Sequence, residues 1–290
     1  MAVIIISSST DPASTNIKKS LLENSSWDEI DTFFNRPVYK NNTLEDIYLV
    51  TINDSKIQHE NIDKEIKNQL NIKPKLAIFI SLHTSKTGKP SLTVHPIGNY
   101  IEAKFGGKSK TLVQSSPKMM THLLRLIKKN LQVTTLNYQV CFEVTHHGPY
   151  LEIPTLFAEV GSTEHEWNKP EPAKIIAQSS LELLKKYRYE EDFSDDIPVL
   201  VGVGGGHYAP RFTDVVFEKN AAFGHMIPLY QLDEERINYE IFEKALQKTP
   251  NAKGIYIHKK SLKKSQVTEY KKLFEKNEIA VISSKELDDL

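Results

Sequence analysis

Four short stretches of the chain gather groups that can move protons, hold a metal or cradle an anion. The first is Glu143-Val144-Thr145-His146-His147-Gly148-Pro149, two adjacent imidazoles just after a carboxylate. Imidazole titrates near neutrality and serves as a general base or a metal ligand. The second is Gly161-Ser162-Thr163-Glu164-His165-Glu166-Trp167. The third is Val201-Gly202-Val203-Gly204-Gly205-Gly206-His207-Tyr208-Ala209-Pro210-Arg211. Its three consecutive glycines let backbone approach a ligand closely, and their N–H groups can form an anion-binding nest. Arg211 can pair with a phosphate bidentately. The fourth is His95-Pro96-Ile97-Gly98-Asn99-Tyr100, followed by a Gly/Lys segment in which Lys104, Lys108 and Lys110 suit a phosphate backbone.

Each stretch also has a plainer explanation. The histidine pair fits a turn with one solvated and one hydrogen-bonded ring. Ser162 or Thr163 can cap a helix whose first turn takes the acids, which leaves His165 and Trp167 unexplained. The glycines fit a strand-to-helix turn, and the lysines a solubilising loop. His225, within an apolar strand, reads as a satisfied core residue. Lys259, Lys260, Lys263 and Lys264 read as a solvated face or an RNA contact.

Several chemistries are excluded. His165-Glu166 lacks the second histidine of a zincin helix, and no G-x-S-x-G elbow is present. The glycine turn matches neither a Rossmann nor a Walker pattern. Cys141 sits in mid-strand, which disfavours a thiol nucleophile. Histidine, carboxylate and backbone remain, a set suited to hydrolysis by an activated water.

The elements that must position these groups alternate between strand and helix. Val3–Ile6, Ile47–Ile52, Leu76–Leu82, Leu156–Val160, Ile197–Val203 and Phe223–Ile227 read as buried strands, and residues 138–145 as a half-buried one. By parity Glu143, Thr145 and His147 share a face there, so both histidines serve one site only if the strand ends near His146. Asp11-Pro12 and Ser116-Pro117 open helices, and Ile62, Ile66 and Leu70 are spaced as on an amphipathic helix. A further helix spans 171–186, and the tail reads helix 238–248, strand 253–257, helix 265–276, strand 278–283. Segments 84–90 and 104–110 read as exposed loops. The pattern predicts α/β with a mixed, mostly parallel sheet flanked by helices, ligands lying beyond the strands' carboxyl ends.

The 290 residues are 39% hydrophobic and 26% charged, enough for one domain over 1–290 or two closely packed lobes joined near 187–196. Lys plus Arg and Asp plus Glu are 37 each, which argues against a protein that coats DNA or other nucleic acid non-specifically. One cysteine allows no intramolecular disulfide and fits a reducing compartment. The N-terminus lacks the basic region of a secretory signal, and no apolar run approaches the ~18 residues of a membrane helix. A soluble, cytoplasmic protein is expected, with no membrane partner.

Taken in order, Ser8 to Ile17, His95 to Tyr100, Phe105-Gly106-Gly107-Lys108, Thr145 to Tyr150, Gly161 to Trp167 and Gly204 to Arg211 resemble the D-aminoacyl-tRNA deacylase family of archaea and plants. The resemblance implies a monomeric α/β fold similar to peptidyl-tRNA hydrolases and phosphorylases. It further implies cleavage of the ester between a D-amino acid and the 3′ end of charged tRNA, with zinc as the usual cofactor. Under it, the catalytic candidates are His147 (base or metal ligand), Glu143 and Glu164. His146, His165 and His207 are the metal candidates. Gly204, Gly205, Gly206, Arg211, Lys104 and His95 are the substrate-binding ones. The rival readings are a nucleoside phosphorylase-like enzyme on a small substrate and a non-catalytic tRNA-binding module.

Overall fold

A computed structural model describes residues 1–193, 196–232 and 239–290. The first part of the chain forms β1 (Ala2–Ser8), α1 (Pro12–Glu23), β2 (Trp27–Phe33), β3 (Arg36–Asn41), β4 (Ile47–Ile52), α2 (Ile62–Leu70), β5 (Pro74–Thr84), β6 (Ser91–His95), β7 (Gly98–Asn99) and β8 (Thr111–Leu112). It continues with α3 (Pro117–Gln132), β9 (Gln139–Phe142), β10 (Thr155–Ser162), α4 (Glu164–Trp167) and α5 (Pro170–Lys186). The last part is β11 (Val199–Val203), α6 (Pro210–Glu218), β12 (Ala222–Ile227), α7 (Tyr239–Gln247), β13 (Ala252–Ile257) and α8 (Lys264–Lys276).

Eight strands form one mixed sheet in the order β2-β3-β4-β1-β5-β10-β6-β9. The pairs β4–β1, β1–β5, β5–β10 and β6–β9 are parallel, whereas β10–β6 and the β2–β3–β4 edge are antiparallel. A second sheet, β12-β11-β13, is wholly parallel. The strand–helix alternation thus yields the α/β architecture expected. On one face of the large sheet, Ile5, Ile78, Leu92 and Leu156 pack under α1, α3 and α5. On the other, Ile4, Ile6 and Phe79 pack against Ile62 and Ile66 of α2.

Asp11 caps α1 by accepting from Ser14 N–H at 2.8 Å, as its position before Pro12 predicts. Its other carboxylate oxygen accepts from Leu82 N–H at 2.9 Å and pairs with Lys56. The cap therefore also ties down the carboxyl end of β5.

Some elements depart from the sequence reading. The stretch that ends at His95, for which the sequence pattern predicts no strand, forms β6, because β10 and β9 pair with it on either side. The β2–β3 hairpin carries charged, exposed residues on an edge and shows no apolar period to reveal it. Residues 278–283 form no strand beyond one isolated bridge, Val281 with Ile255. The strand expected over 138–145 stops at Phe142, since Val144 and Thr145 N–H turn to His207 and Met226 carbonyls at 2.9 and 3.0 Å. There the chain passes from the large sheet to the small one. Of the expected connection at 187–196, residues 194 and 195 lie outside the described residues, as does residue 238 of the expected helix 238–248.

Candidate active site

Strand register assembles the site. Glu159 of β10 lies beside Ser81 of β5 and Thr93 of β6, and Gly161 lies beside His83 and Ser91. Phe157, two residues back, lies beside Phe79 and His95. Thr93 in turn faces Cys141 of β9, two residues before Glu143. Neighbours in register point to the same side, and the period is two. So His83, His95, Glu143 and Glu159 all project from the face opposite α1, α3 and α5. The glycine turn after β11 brings His207 onto this face from the small sheet.

Glu143 is fully buried at the centre. Its Oε2 accepts from His207 Nε2 at 2.8 Å and lies 3.5 Å from His146 Nε2, and its Oε1 lies 3.1 Å from His83 Nδ1. Glu159 Oε2 is 3.5 Å from His83 Nδ1 and 3.6 Å from His95 Nε2. Burial raises both carboxyl pKa values, but the hydrogen bonds and charges of the surrounding histidines outweigh it and hold both below the usual carboxylate range. Burial likewise pushes His83 down, and Glu143 and Glu159 overrule it, lifting that ring to about 11. Burial and the neighbouring rings hold His146 well below its ordinary value and His147 at about 3, so both are neutral.

Three rings share one arrangement. Nδ1 of His95, His146 and His147 lies 3.1, 2.7 and 2.6 Å from the carbonyls of Pro96, Val144 and Gly148. A carbonyl only accepts, so each Nδ1 carries a proton; in the neutral His146 and His147 this leaves the Nε2 lone pair free, whereas for His95 the neighbouring Glu159 and Glu143 overrule burial and raise the ring above its ordinary value. His95 Nε2 is buried without a hydrogen-bond partner. One ligand atom from each ring lies within 4.8 Å of the others. Three imidazoles oriented by backbone carbonyls, with Glu159 and Glu143 oxygens 3.6 and 3.5 Å from the Nε2 atoms of His95 and His146, fit a zinc-type cation, which would take the place of the Nε2 proton on His95.

His146, His147 and His207 open into a cavity of about 470 Å³, walled by Asn99, Tyr100, Lys104, Phe105 and Tyr230. Its size suits a small ligand or the end of a larger one. His147 reaches this position with φ 45° rather than by continuing the strand, and His146 bridges to Ile97, so both imidazoles serve one site. Gly148 has a contact reason: a Cβ there would meet Gly107 N at 2.2 Å. Gly148 N–H donates to the Phe105 carbonyl at 3.0 Å, and Glu60 accepts from Gly107 and Tyr150 N–H at 2.6 Å each. The loop bearing Lys104 is thus pinned to the histidine turn.

Other candidates lie elsewhere. Glu164 and His165 are exposed on α4 and stay outside the cluster. Trp167 of that stretch donates to the His83 carbonyl at 2.9 Å, and Glu166 is buried against Tyr138 and Lys169. Arg211 donates to Tyr256 and Ser284 hydroxyls in a separate groove. Gly204 and Gly205 N–H are taken by the Ile227 carbonyl and Ser261 Oγ at 2.8 Å each, while Gly206 is exposed. His225 is a fully buried core residue joined to Thr145 and the Val113 carbonyl. Two members of the site were not among the candidates: His83, at the end of β5, and Glu159, a carboxylate inside an apolar strand. The latter was the available signal, since a buried charge must be paired.

The family model of D-aminoacyl-tRNA deacylases matches residues 70–282. The D-aminoacyl-tRNA deacylase of Thermococcus onnurineus is 39% identical over 264 residues, covering 90% of this chain and 92% of its own. That of Methanosarcina acetivorans is 37% identical over 290 residues, covering 98% and 93%. The crystal structure of a conserved protein of unknown function superposes with a TM-score of 0.86 at 30% identity, covering 99% of this chain and 96% of its own. No helix among the described residues is long and apolar enough to cross a membrane. The chain belongs to the D-aminoacyl-tRNA deacylase family.

Proposed function

We propose that the histidine–carboxylate cluster at the head of the 470 Å³ cavity hydrolyses the ester joining a D-amino acid to the 3′ end of tRNA. The observation that carries this reading is the His207–Glu143 pair, a part-exposed imidazole hydrogen-bonded to a fully buried carboxylate at the cavity wall. Glu143 accepts from Nε2–H, so Nδ1 keeps its lone pair. His207 takes a proton from water as the water oxygen attacks the ester carbonyl carbon. It returns that proton to the ribose oxygen as the carbon–oxygen bond breaks, releasing free amino acid and tRNA. Glu143 holds the ring and balances the transient imidazolium, the role of the carboxylate in serine-protease triads.

His95, His146 and His147 would hold zinc, their Nδ1 atoms fixed by backbone carbonyls and Glu159 lying beside the His95 Nε2 that faces the ion. Bound there, zinc supplies Lewis acidity toward the ester carbonyl. Lys104 faces the phosphates of the RNA end, and Tyr100, Phe105 and Tyr230 offer flat surfaces to the terminal base or the amino-acid side chain. Family membership favours this reading over a phosphorylase-like enzyme or a non-catalytic tRNA binder. The substrate and the lone, buried Cys141 suit a cytoplasmic enzyme, and we take it to act as a monomer.

The test is release of amino acid from matched D- and L-tyrosyl-tRNA, with and without chelation followed by added zinc. Release from the D-form alone, lost on chelation and restored by zinc, is expected. No release from either form would overturn the reading.

A further inference from the structure

The large sheet holds a second crevice that the ester chemistry does not use. β1 and β4 are parallel neighbours, yet the helices that follow them go to opposite faces. Ile17 and Leu21 of α1 pack with Val3 and Ile5, whereas Ile62 and Ile66 of α2 pack with Ile4 and Ile6. Where adjacent parallel strands diverge in this way, a crevice opens beyond their carboxyl ends, and ligands commonly bind there. Here it is a cavity of about 480 Å³. Ser7 of β1 and Thr51 of β4 are buried at its base. Lys18 and Leu22 of α1 form one wall, and Arg36 and Pro37 of β3 the other.

The charges here are unbalanced. Lys18 Nζ donates to Thr51 Oγ1 at 2.7 Å, and Arg36 Nε donates to Asn53 at 2.7 Å. Neither cation is paired with a carboxylate among the described residues. Burial, and then the charge of Arg36, lower the pKa of Lys18. The acid on the rim, Glu23, turns to Lys19 at 3.9 Å. Ser7 Oγ is 1% exposed and has no hydrogen-bond partner. The part-buried Lys18, the exposed Arg36 and an unpaired buried hydroxyl thus face one cavity, and no carboxylate among the described residues pairs with either cation.

We infer that this crevice binds a phosphate group, with Lys18 and Arg36 as its counter-charges and Ser7 Oγ–H as a donor. The cavity exceeds the size of a bare phosphate, and Leu22 and Pro37 suit an organic body attached to it. That body is either a nucleotide-sized molecule or the RNA backbone itself. β5 separates β1 from β10, which carries Glu159, so the site is distinct from the ester-cleaving cluster.

The experiment is calorimetric titration of the full chain with inorganic phosphate and with adenosine monophosphate at low ionic strength. Wild type is compared with Lys18→Met, Arg36→Gln and Ser7→Ala, and thermal melts check folding. Saturable one-site binding is expected, weakened at least about tenfold by each cation variant and less by Ser7→Ala. No saturable binding up to about 10 mM, or equal affinity in folded Lys18→Met and Arg36→Gln, would overturn the inference. Deacylation kinetics identify the source. A raised KM for D-tyrosyl-tRNA in Arg36→Gln at unchanged kcat marks the RNA backbone. An unchanged KM with lost adenosine monophosphate binding marks a small phosphorylated ligand.

Discussion

If Glu143 acts through His207, the two residues must be energetically coupled. Glu143→Gln keeps the shape and loses the charge. The 2.8 Å contact from His207 then becomes a neutral hydrogen bond, or the ring turns and presents the wrong nitrogen. A charge-assisted hydrogen bond of this kind contributes about 1.5–3 kcal/mol, so kcat should fall roughly 10- to 150-fold. His207→Ala removes the base itself, and a fall of about 10²- to 10⁴-fold is expected. In the double variant Glu143→Gln should cost little more, giving a coupling energy of about 1.5–3 kcal/mol. Single-turnover hydrolysis of D-tyrosyl-tRNA at saturating zinc measures the four rates. Zinc content measured alongside separates an effect through His146, 3.5 Å from Glu143. Additivity within about 0.5 kcal/mol would show that the two side chains act independently and would refute the pairing.

His147→Ala should lower zinc affinity by more than the ~10- to 100-fold typical of losing an outer partner, with folding intact, whereas His165→Ala should leave it unchanged; equal affinity in both variants, read by chelator competition, would refute the three-histidine site. His225 gives a pH signature: burial lowers it to about 3, so below its unfolded value of about 6.5 only the unfolded chain takes the proton. Its contribution is complete above that value and is lost as pH falls toward 3, about 2 kcal/mol being gone by pH 5. Urea melts at pH 7 and pH 5 should show that extra loss in wild type and not in His225→Gln; identical pH dependence would remove His225 as its source. Gly148→Ala places a Cβ 2.2 Å from Gly107 N, so the Lys104 loop must shift. Stability should drop by about 1–3 kcal/mol and KM should rise, and an unchanged melt and KM would show that the contact relaxes freely.

Many of the strands and helices were legible from periodicity and capping alone, from Asp11-Pro12 at α1 to the strand of Ile47–Ile52, but β6, which carries His95, was not. The site itself was only half legible, and the reason is physical. Each histidine stretch looks self-contained in sequence, yet the working group forms across β5, β6, β9 and β10, whose lateral order depends on long-range pairing. His83, His95, Glu143 and Glu159 share a face only because the registers Gly161–His83, Phe157–His95 and Thr93–Cys141 put their parities in phase. Sequence neighbours, conversely, are split apart. His207 and Arg211 belong to one run, but Ala209 takes φ 40° and α6 begins at Pro210, so His207 meets Glu143 while Arg211 meets Tyr256. In Gly161–Trp167 the exposed pair Glu164 and His165 drew attention for its chemistry, although Trp167 and Glu166 bind the structure together. A lone carboxylate inside an apolar strand is therefore the better pointer. Glu159 sits between Ala158 and Val160 of the opposite face's core, where an unpaired charge would be costly, and its presence demands cationic or metal-binding partners on its own side.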